Sequence, residues 1–180
     1  MKQDLPSEIA EGIKRPFQEV AADGDFGVIV NEIARGLAEG TLTSKRLSSI
    51  LSAYNTSLTA IRDDLLNMLL SYIDHILDDH VITEFEAKAM TFLKRFFRIR
   101  EGDFYRHKHI FVEDIINRQL EYMFMNNRID PHEALQKVAL QGLFDLSYDQ
   151  FLAMGQRSVK KALDRGADIL ALDTFIKLDT

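Results

Sequence analysis

The chain has 180 residues, of which 46% are hydrophobic and 28% are charged, a composition typical of a globular domain with its own core. Because it contains no cysteine, disulfides, thiolate zinc sites, iron–sulfur clusters and cysteine nucleophiles are excluded. The formal net charge of −6 argues against non-specific nucleic-acid binding by the surface as a whole.

The first residues and the apolar runs predict neither a signal peptide nor a membrane-spanning helix. The opening stretch, MKQDLPSEIAEGIK, has no apolar core of the length that a signal peptide needs. The most apolar run, LLNMLLSYIDHIL, is too short to cross a bilayer and is interrupted by Asp74 and His75. We therefore expect one helical domain over residues 1–180, located in the cytoplasm.

Apolar residues at helical spacing run through much of the chain and predict an all-α fold. They form stripes whose period matches the 3.6 residues of an α-helical turn. In chain order the stripes comprise Ile61, Leu65, Met68, Leu69, Tyr72, Ile73 and Ile76; Phe85, Ala89, Phe92, Leu93, Phe96 and Phe97; Val112, Ile115, Ile116, Leu120, Met123 and Phe124; and Leu135, Val138, Ala139, Leu143 and Leu146. We expect a single compact bundle of roughly seven helices, and residues 168–180 fit a short helix, a strand-like tail or a docked extended segment.

Capping-box patterns mark several of the predicted helix starts. In this motif a side-chain oxygen accepts from a free N–H of the first turn, and a Glu or Gln three residues later bonds back. The pattern occurs at Thr83 with Glu86, at Asp130 with Glu133, and at Ser147 with Gln150. Pro131 also occupies the favoured first helical position, so these residues predict helix starts near 84, 131 and 148.

The sequence contains an internal repeat. Residues 77–104 align without a gap with residues 124–151, at the offset that separates Ile82 from Ile129. Glu86 then meets Glu133, Leu93 meets Leu140 and Phe97 meets Phe144. The repeat predicts two related helix–turn–helix units at about residues 71–104 and 118–151. A fainter third copy covers about residues 31–52, with Arg46 where a Glu is expected.

The doubled motif resembles the TerB-like family of helical domains. A small polar or acidic turn is followed by a hydrophobic residue, a Thr or Asp, a Glu three positions later, and an apolar stripe that closes on Phe. The family pattern is roughly Ala-Asp-Gly-x-Ile-Ser/Thr-x-x-Glu, and the resemblance covers about residues 30–151. It implies an internally duplicated helical bundle, associated with tellurite resistance and stress responses, that acts by sensing or scaffolding.

The resemblance also implies a divalent-cation site at the two turns. By position, Asp79 and Glu86 match the acidic residues of the family in one copy, and Glu133 matches in the other. If the two capped helix starts come close, Asp130 joins these carboxylates in the oxygen-rich environment that calcium or magnesium requires. The alternative is that Glu86 and Glu133 only complete their capping boxes.

Two departures from the family pattern weaken the expected cation site. Asn126 stands where the second turn would carry an Asp, which removes one negative charge. His80 and Asn127 fill the positions of the family's glycine. We therefore expect no bound cofactor, with calcium or magnesium as the alternative.

A basic stretch over residues 92–111 supplies the candidate partner-binding residues. These are Arg95, Arg98, Arg100, Arg106 and Lys108. A solvated basic face is one interpretation, and binding of an acidic protein or a phosphate-rich ligand is the other. Because Phe92, Phe96 and Phe97 belong to a core stripe, stacking on nucleic-acid bases is not favoured.

The sequence contains no motif that predicts catalysis. There is no Gly-x-Ser-x-Gly, no P-loop and no Gly-x-Gly-x-x-Gly. We therefore predict a non-catalytic protein that acts through protein–protein interaction, with its oligomeric state left open. The alternative is an immunity-type or adaptor protein whose acidic helical surface binds and neutralises a basic partner such as a toxin.

Overall fold

The computed structural model describes residues 4–123 and 131–165, with the backbone alone for residues 131–134. All regular secondary structure in these ranges is helical, which confirms the all-α prediction for the part of the chain that is described. The helices are α1 (Ser7–Gly12), α2 (Lys14–Asp23), α3 (Val28–Ala38), α4 (Ser44–Ala53), α5 (Arg62–Ile76), α6 (Glu84–Phe97), α7 (Asp103–His107), α8 (His109–Met123), α9 (Pro131–Leu143) and α10 (Tyr148–Asp164). None of the described helices is both long and apolar enough to cross a membrane.

The helix count within the described residues is ten, where the sequence predicted roughly seven. The excess comes partly from short segments. Helices α1 and α2 are separated only at Ile13, and α7 spans five residues after Gly102, whose φ is 76°. Helices of fewer than about two turns are too short to show a 3.6-residue apolar period, so the pattern could not reveal them.

The core is built around α5, and its predicted stripe is confirmed. Every member of that stripe is buried, and Tyr72 stacks on Phe17 of α2 with ring centroids 4.9 Å apart. A second aromatic contact joins Phe104 of α7 to Phe144 beyond α9, edge to face at 5.6 Å. Helix α5 packs on α2, α3 and α8, which places it centrally among the described helices.

The predicted apolar stripe of α9 is partly wrong. Leu135 and Val138 are 69% and 59% exposed, whereas Gln136 is buried. The side chain of Gln136 accepts from the N–H of Ile82 at 2.6 Å and donates to its carbonyl at 3.3 Å. Because this pairing satisfies the backbone of the turn before α6, α9 is rotated so that Gln136 and Leu140, rather than Leu135 and Val138, face inward.

A buried polar contact holds α8 against α10. The Asn117 amide donates to the carbonyl of Met154 at 2.8 Å, and its oxygen accepts from the N–H and the hydroxyl of Ser158 at 3.1 and 2.6 Å. All of these bonds lie between the two helices and are away from water. Because each buried polar group has a partner, the contact fixes the register of the pair without the cost of an unpaired group.

Two of the three predicted capping boxes are confirmed. Thr83 and Glu86 cap α6, and Ser147 and Gln150 cap α10, each with both reciprocal hydrogen bonds. Asp130 and the side chain of Glu133 lie outside the described residues, so the third capping box stays a prediction; Pro131 is helical in α9.

Helices α4, α6 and α9 end in the same way. A residue with a left-handed backbone follows each helix: Asn55 with φ 47°, Arg98 with φ 57° and Asp145 with φ 51°. The N–H of the next residue then bonds to the carbonyl five positions back, at 2.9 Å, 2.8 Å and 3.2 Å respectively. This Schellman-type ending satisfies free carbonyls and reverses the chain, and its usual residue at the left-handed position is glycine.

Candidate functional site

A groove with a volume of about 550 Å³ runs between α4 and the last turns of α6. Part of its lining is apolar and consists of the side chains of Leu47, Leu51, Leu58, Phe92 and Phe96. Most of these residues are only partly buried, so the groove presents apolar surface to solvent. The same wall carries hydroxyl groups from Ser48, Ser52, Thr56, Ser57 and Thr59.

The groove is strongly basic, and we call it the arginine groove because Arg62, Arg95, Arg98 and Arg100 line it. Among its described lining residues, Asp4 is the single carboxylate. The side chains of Arg95, Arg98 and Arg100 are exposed, and none makes an ion pair or side-chain hydrogen bond with a described residue. Within the described part of the chain, these three guanidinium groups can therefore bind an anion without first breaking an internal contact.

The ending of α6 separates these arginines from the neighbouring lysine. Arg98 has the left-handed backbone, and the N–H of Ile99 bonds to the carbonyl of Lys94 at 2.8 Å. The Lys94 side chain is buried and donates to the carbonyls of Gly142 and Leu143 at the end of α9. Burial lowers the pKa of Lys94, although its ion pair with an aspartate acts in the opposite direction. One basic residue therefore supports the fold, and its neighbours line the groove.

Arg62 is fixed in the groove by a buried carboxylate on α7. Asp103 is 1% exposed, and its carboxylate lies 3.2 Å from the Arg62 guanidinium and 2.9 Å from that of Arg106. It also accepts from the N–H of Arg100 at 2.9 Å. Burial alone would raise the pKa of Asp103, but these donors together hold it below its ordinary value. Asp103 thus stays ionised and ties the start of α5 to the segment after α6.

The structure divides the predicted partner-binding residues into two groups. Arg95, Arg98 and Arg100 lie together at the arginine groove. Arg106 pairs with Asp103, and Lys108 is buried with its Nζ 2.8 Å from a carboxylate oxygen of Asp63. Lys108 is therefore engaged inside the fold, whereas Arg106 is 59% exposed but bound to the buried carboxylate of Asp103.

The sequence did not predict that Arg62 lines the groove, and it carries only a weak indication of this role. Arg62 lies far upstream of the basic stretch, and two aspartates rather than other basic residues follow it in the sequence. It reaches the groove because α5 begins beside the segment that follows α6, where Asp103 binds it. This proximity is tertiary, so neither local spacing nor local charge predicts it.

Only part of the predicted acidic site belongs to the described residues. Asp79 accepts from the N–H of Val81 at 2.9 Å, and Glu86 accepts from the N–H and hydroxyl of Thr83, both at 2.8 Å. Asp130 and the side chain of Glu133 lie outside the described residues. In the part of the chain that is described, no three His, Asp or Glu side chains form a group that could hold a metal ion. The calcium or magnesium site stays a prediction.

The chemistry of the arginine groove is suited to an anion that also carries apolar groups. Guanidinium groups bind carboxylate or phosphate through paired N–H donors and desolvate more readily than ammonium groups. Apolar surface beside them gains free energy when a ligand covers it. The arrangement can therefore bind a ligand that combines negative charge with hydrophobic surface.

Comparison with known proteins gives no relative from which a function could be transferred. Protein-family models, curated proteins and solved structures all yield no match to this chain. Functional inference therefore depends on the residues and geometry of this chain.

Proposed function

We propose that this protein is a non-catalytic helical module that binds an acidic segment of a protein partner in the arginine groove. The observation that carries the proposal is the presence of Arg95, Arg98 and Arg100 together at an apolar groove without an ion-pair partner among the described residues. An exposed arginine that only solubilises a surface needs no such companions and no adjoining groove.

The energetics favour a partner that engages several arginines at once. A single exposed ion pair contributes only about 0–1 kcal/mol, because solvent and salt screen it. Covering the groove removes water from the guanidinium groups and strengthens each pair, while Arg62 is already held in place by Asp103. A segment with several carboxylates therefore gains more than the sum of isolated surface pairs.

The charge distribution also supports orientation of such a partner. The whole chain carries a formal charge of −6, whereas the groove lining has four arginines and one aspartate. An acidic segment is repelled by most of the surface and attracted at the groove. Charge patterns of this kind steer encounter and reject misplaced complexes more than they raise final affinity.

A sensing or scaffold role in stress responses is part of the same proposal, and it comes from the TerB-like resemblance. The internal repeat has supporting geometry. Helices α6 (Glu84–Phe97) and α9 (Pro131–Leu143) occupy corresponding parts of the two repeats. The shared endings of α6 and α9 fall at the same offset. We propose that residues 71–100 and 118–147 are superposable units, which a superposition of an experimental structure tests.

Fluorescence anisotropy with a labelled synthetic peptide of Glu and Leu residues tests the proposed function. Replacing Arg95, Arg98 and Arg100 together with Gln should weaken binding at least about tenfold. The matched control is Arg35→Gln, because Arg35 is exposed on α3 and does not line the groove. It changes net charge by one unit outside the groove lining and should leave affinity nearly unchanged.

The same assay separates this proposal from the immunity-type alternative. A peptide of Lys and Leu residues, of equal length, represents a basic partner. Tighter binding of the basic peptide, or equal losses from the groove variant and Arg35→Gln, would contradict the groove proposal.

A further inference from the structure

The chain already places one of its own acidic–aliphatic pairs against the arginine groove. Asp4 and Leu5 both line it, and they come from the N-terminal segment before α1, remote in sequence from α4 and α6. Leu5 is partly buried against the core, and Asp4 is exposed. The pair shows which combination of side chains can lie at this surface.

The Asp4 carboxylate binds where α4 begins. Its Oδ1 accepts from the N–H of Ser44 at 2.5 Å, while the hydroxyl of Thr43 accepts from the N–H of Arg46 at 3.1 Å. These N–H groups have no partner inside the helix, so each needs an external acceptor. The hydrogen bonds to Ser44 hold the pKa of Asp4 below its ordinary value, so it remains a carboxylate at neutral pH.

We infer that the arginine groove takes a peptide segment in which carboxylates alternate with aliphatic side chains, and that Asp4 and Leu5 are an internal version that competes with it. The inference rests on the proposed function and names the ligand class. Arg95, Arg98 and Arg100 have no ion-pair partner among the described residues, so a ligand with several carboxylates can pair with them.

The apolar part of the lining explains why charge alone is insufficient. Leu51, Leu58, Phe92 and Phe96 are partly buried and remain in contact with solvent at the groove. A ligand that carries leucine covers this apolar surface, whereas a ligand of equal charge that carries serine leaves the surface exposed to water. The groove should therefore discriminate between two peptides that differ only in the apolar residue.

Two labelled synthetic peptides test the ligand class: one of Glu and Leu residues, and one in which Ser replaces every Leu. We expect the Glu–Leu peptide to bind the full-length protein at least about tenfold more tightly. Equal affinities of the two peptides would overturn the inference, and so would equal displacement of both peptides by millimolar inorganic phosphate. Either result would show that the groove recognises charge alone.

Two variants test the competition. Asp4→Asn retains an oxygen that can accept from the Ser44 N–H but removes the charge, and Leu5→Ala removes the aliphatic group. Competition predicts that each variant raises affinity for the Glu–Leu peptide by about threefold, a typical value for one surface contact. If Leu5→Ala leaves the affinity unchanged or weakens it, Leu5 only lines the site and the competition is refuted. Thermal melts of both variants establish that each is folded.

Failure of this inference differs from failure of the proposed function. If neither peptide binds the parent protein or the Asp4→Asn and Leu5→Ala double variant, the groove is not a peptide site and both ideas fail. If both peptides bind equally and binding still requires Arg95, Arg98 and Arg100, the proposed function stands and the ligand class is wrong.

Discussion

Lys94 on α6 and Asp145, just beyond α9, form an ion pair with Nζ 2.5 Å from a carboxylate oxygen. The Lys94 side chain is 8% exposed, and its ammonium group also donates to the carbonyls of Gly142 and Leu143. A lysine from one helix therefore caps the C-terminus of another, where the free carbonyls carry partial negative charge.

Replacing Lys94 with Met should lower the free energy of unfolding by about 1–3 kcal/mol, because charge-assisted hydrogen bonds to buried acceptors are lost. Urea denaturation of the variant and the parent measures the change. Lys88→Met is the control, since Lys88 is 53% exposed and, among the described residues, forms an ion pair with Glu8 alone, at 3.4 Å. Similar losses in the two variants would mean that the Lys94 contacts contribute no more than a surface pair.

Thr83→Ala should destabilise the protein by about 0.5–2 kcal/mol, because the first turn of α6 loses its capping acceptor. The hydroxyl of Thr83 accepts from the N–H of Glu86 at 3.2 Å. Thr91→Ala is the matched control, because Thr91 is exposed in the middle of the same helix and its hydroxyl bonds to the carbonyl of Ala87. Denaturant melts should show a clear loss for the first variant only.

The buried carboxylate of Asp103 predicts a pH-dependent contribution to stability. Its pKa is below the ordinary value of 3.8, so the unfolded chain binds the proton more readily than the folded one. The contribution is therefore present above about pH 4 and is lost as the pH falls through the folded-state pKa. Asp103→Asn should cost about 1–3 kcal/mol at neutral pH, with a deficit that shrinks in acid.

Urea melts across this pH range measure the Asp103 effect. Asp149→Asn provides the comparison, because Asp149 is exposed at the start of α10. A deficit of Asp103→Asn that stays constant with pH would show that packing, rather than the ionised carboxylate, accounts for the loss.

Millimolar calcium or magnesium should stabilise the protein little or not at all. Glu86 uses its carboxylate in the capping box of α6, and Asn126 stands where the TerB-like pattern that the sequence resembles has a charged Asp. A ligand that binds only the folded state adds about 2.7 kcal/mol at 100 times its dissociation constant, so a functional site would be evident in thermal melts. A saturable rise in melting temperature that disappears in Glu86→Gln would restore the cation-sensing hypothesis.

Local patterns predicted the features of this fold that depend on neighbouring residues. The stripe of α5 is buried throughout, and the caps at Thr83 and Ser147 form as expected, because helix period and capping involve residues within one or two turns. The orientation of α9 was not predictable. It depends on Gln136 binding the backbone of Ile82, a contact between distant segments.

The arginine groove was predictable only in part for a similar reason. The basic stretch identified Arg95, Arg98 and Arg100 as candidates, but spacing alone could not show that Lys108 would be buried in an ion pair. Arg62 joins the site through a contact with α7. The density of basic residues in the sequence indicates a candidate binding region, and the tertiary fold determines which of these side chains remain exposed to bind a partner.

The left-handed backbone of Arg98 implies a conflict between stability and the proposed peptide binding. A non-glycine residue in this conformation costs about 1 kcal/mol relative to glycine, which is the usual residue at this helix ending. Arg98→Gly should therefore raise the unfolding free energy in urea while weakening peptide binding. Asn55→Gly lies outside the groove lining and should leave peptide binding unchanged, with a smaller gain in stability because asparagine tolerates the left-handed conformation better than arginine. The chain has an arginine where the backbone favours glycine. Selection for a more stable variant at this position would yield a domain with a higher free energy of unfolding and a lower affinity for peptide in the groove.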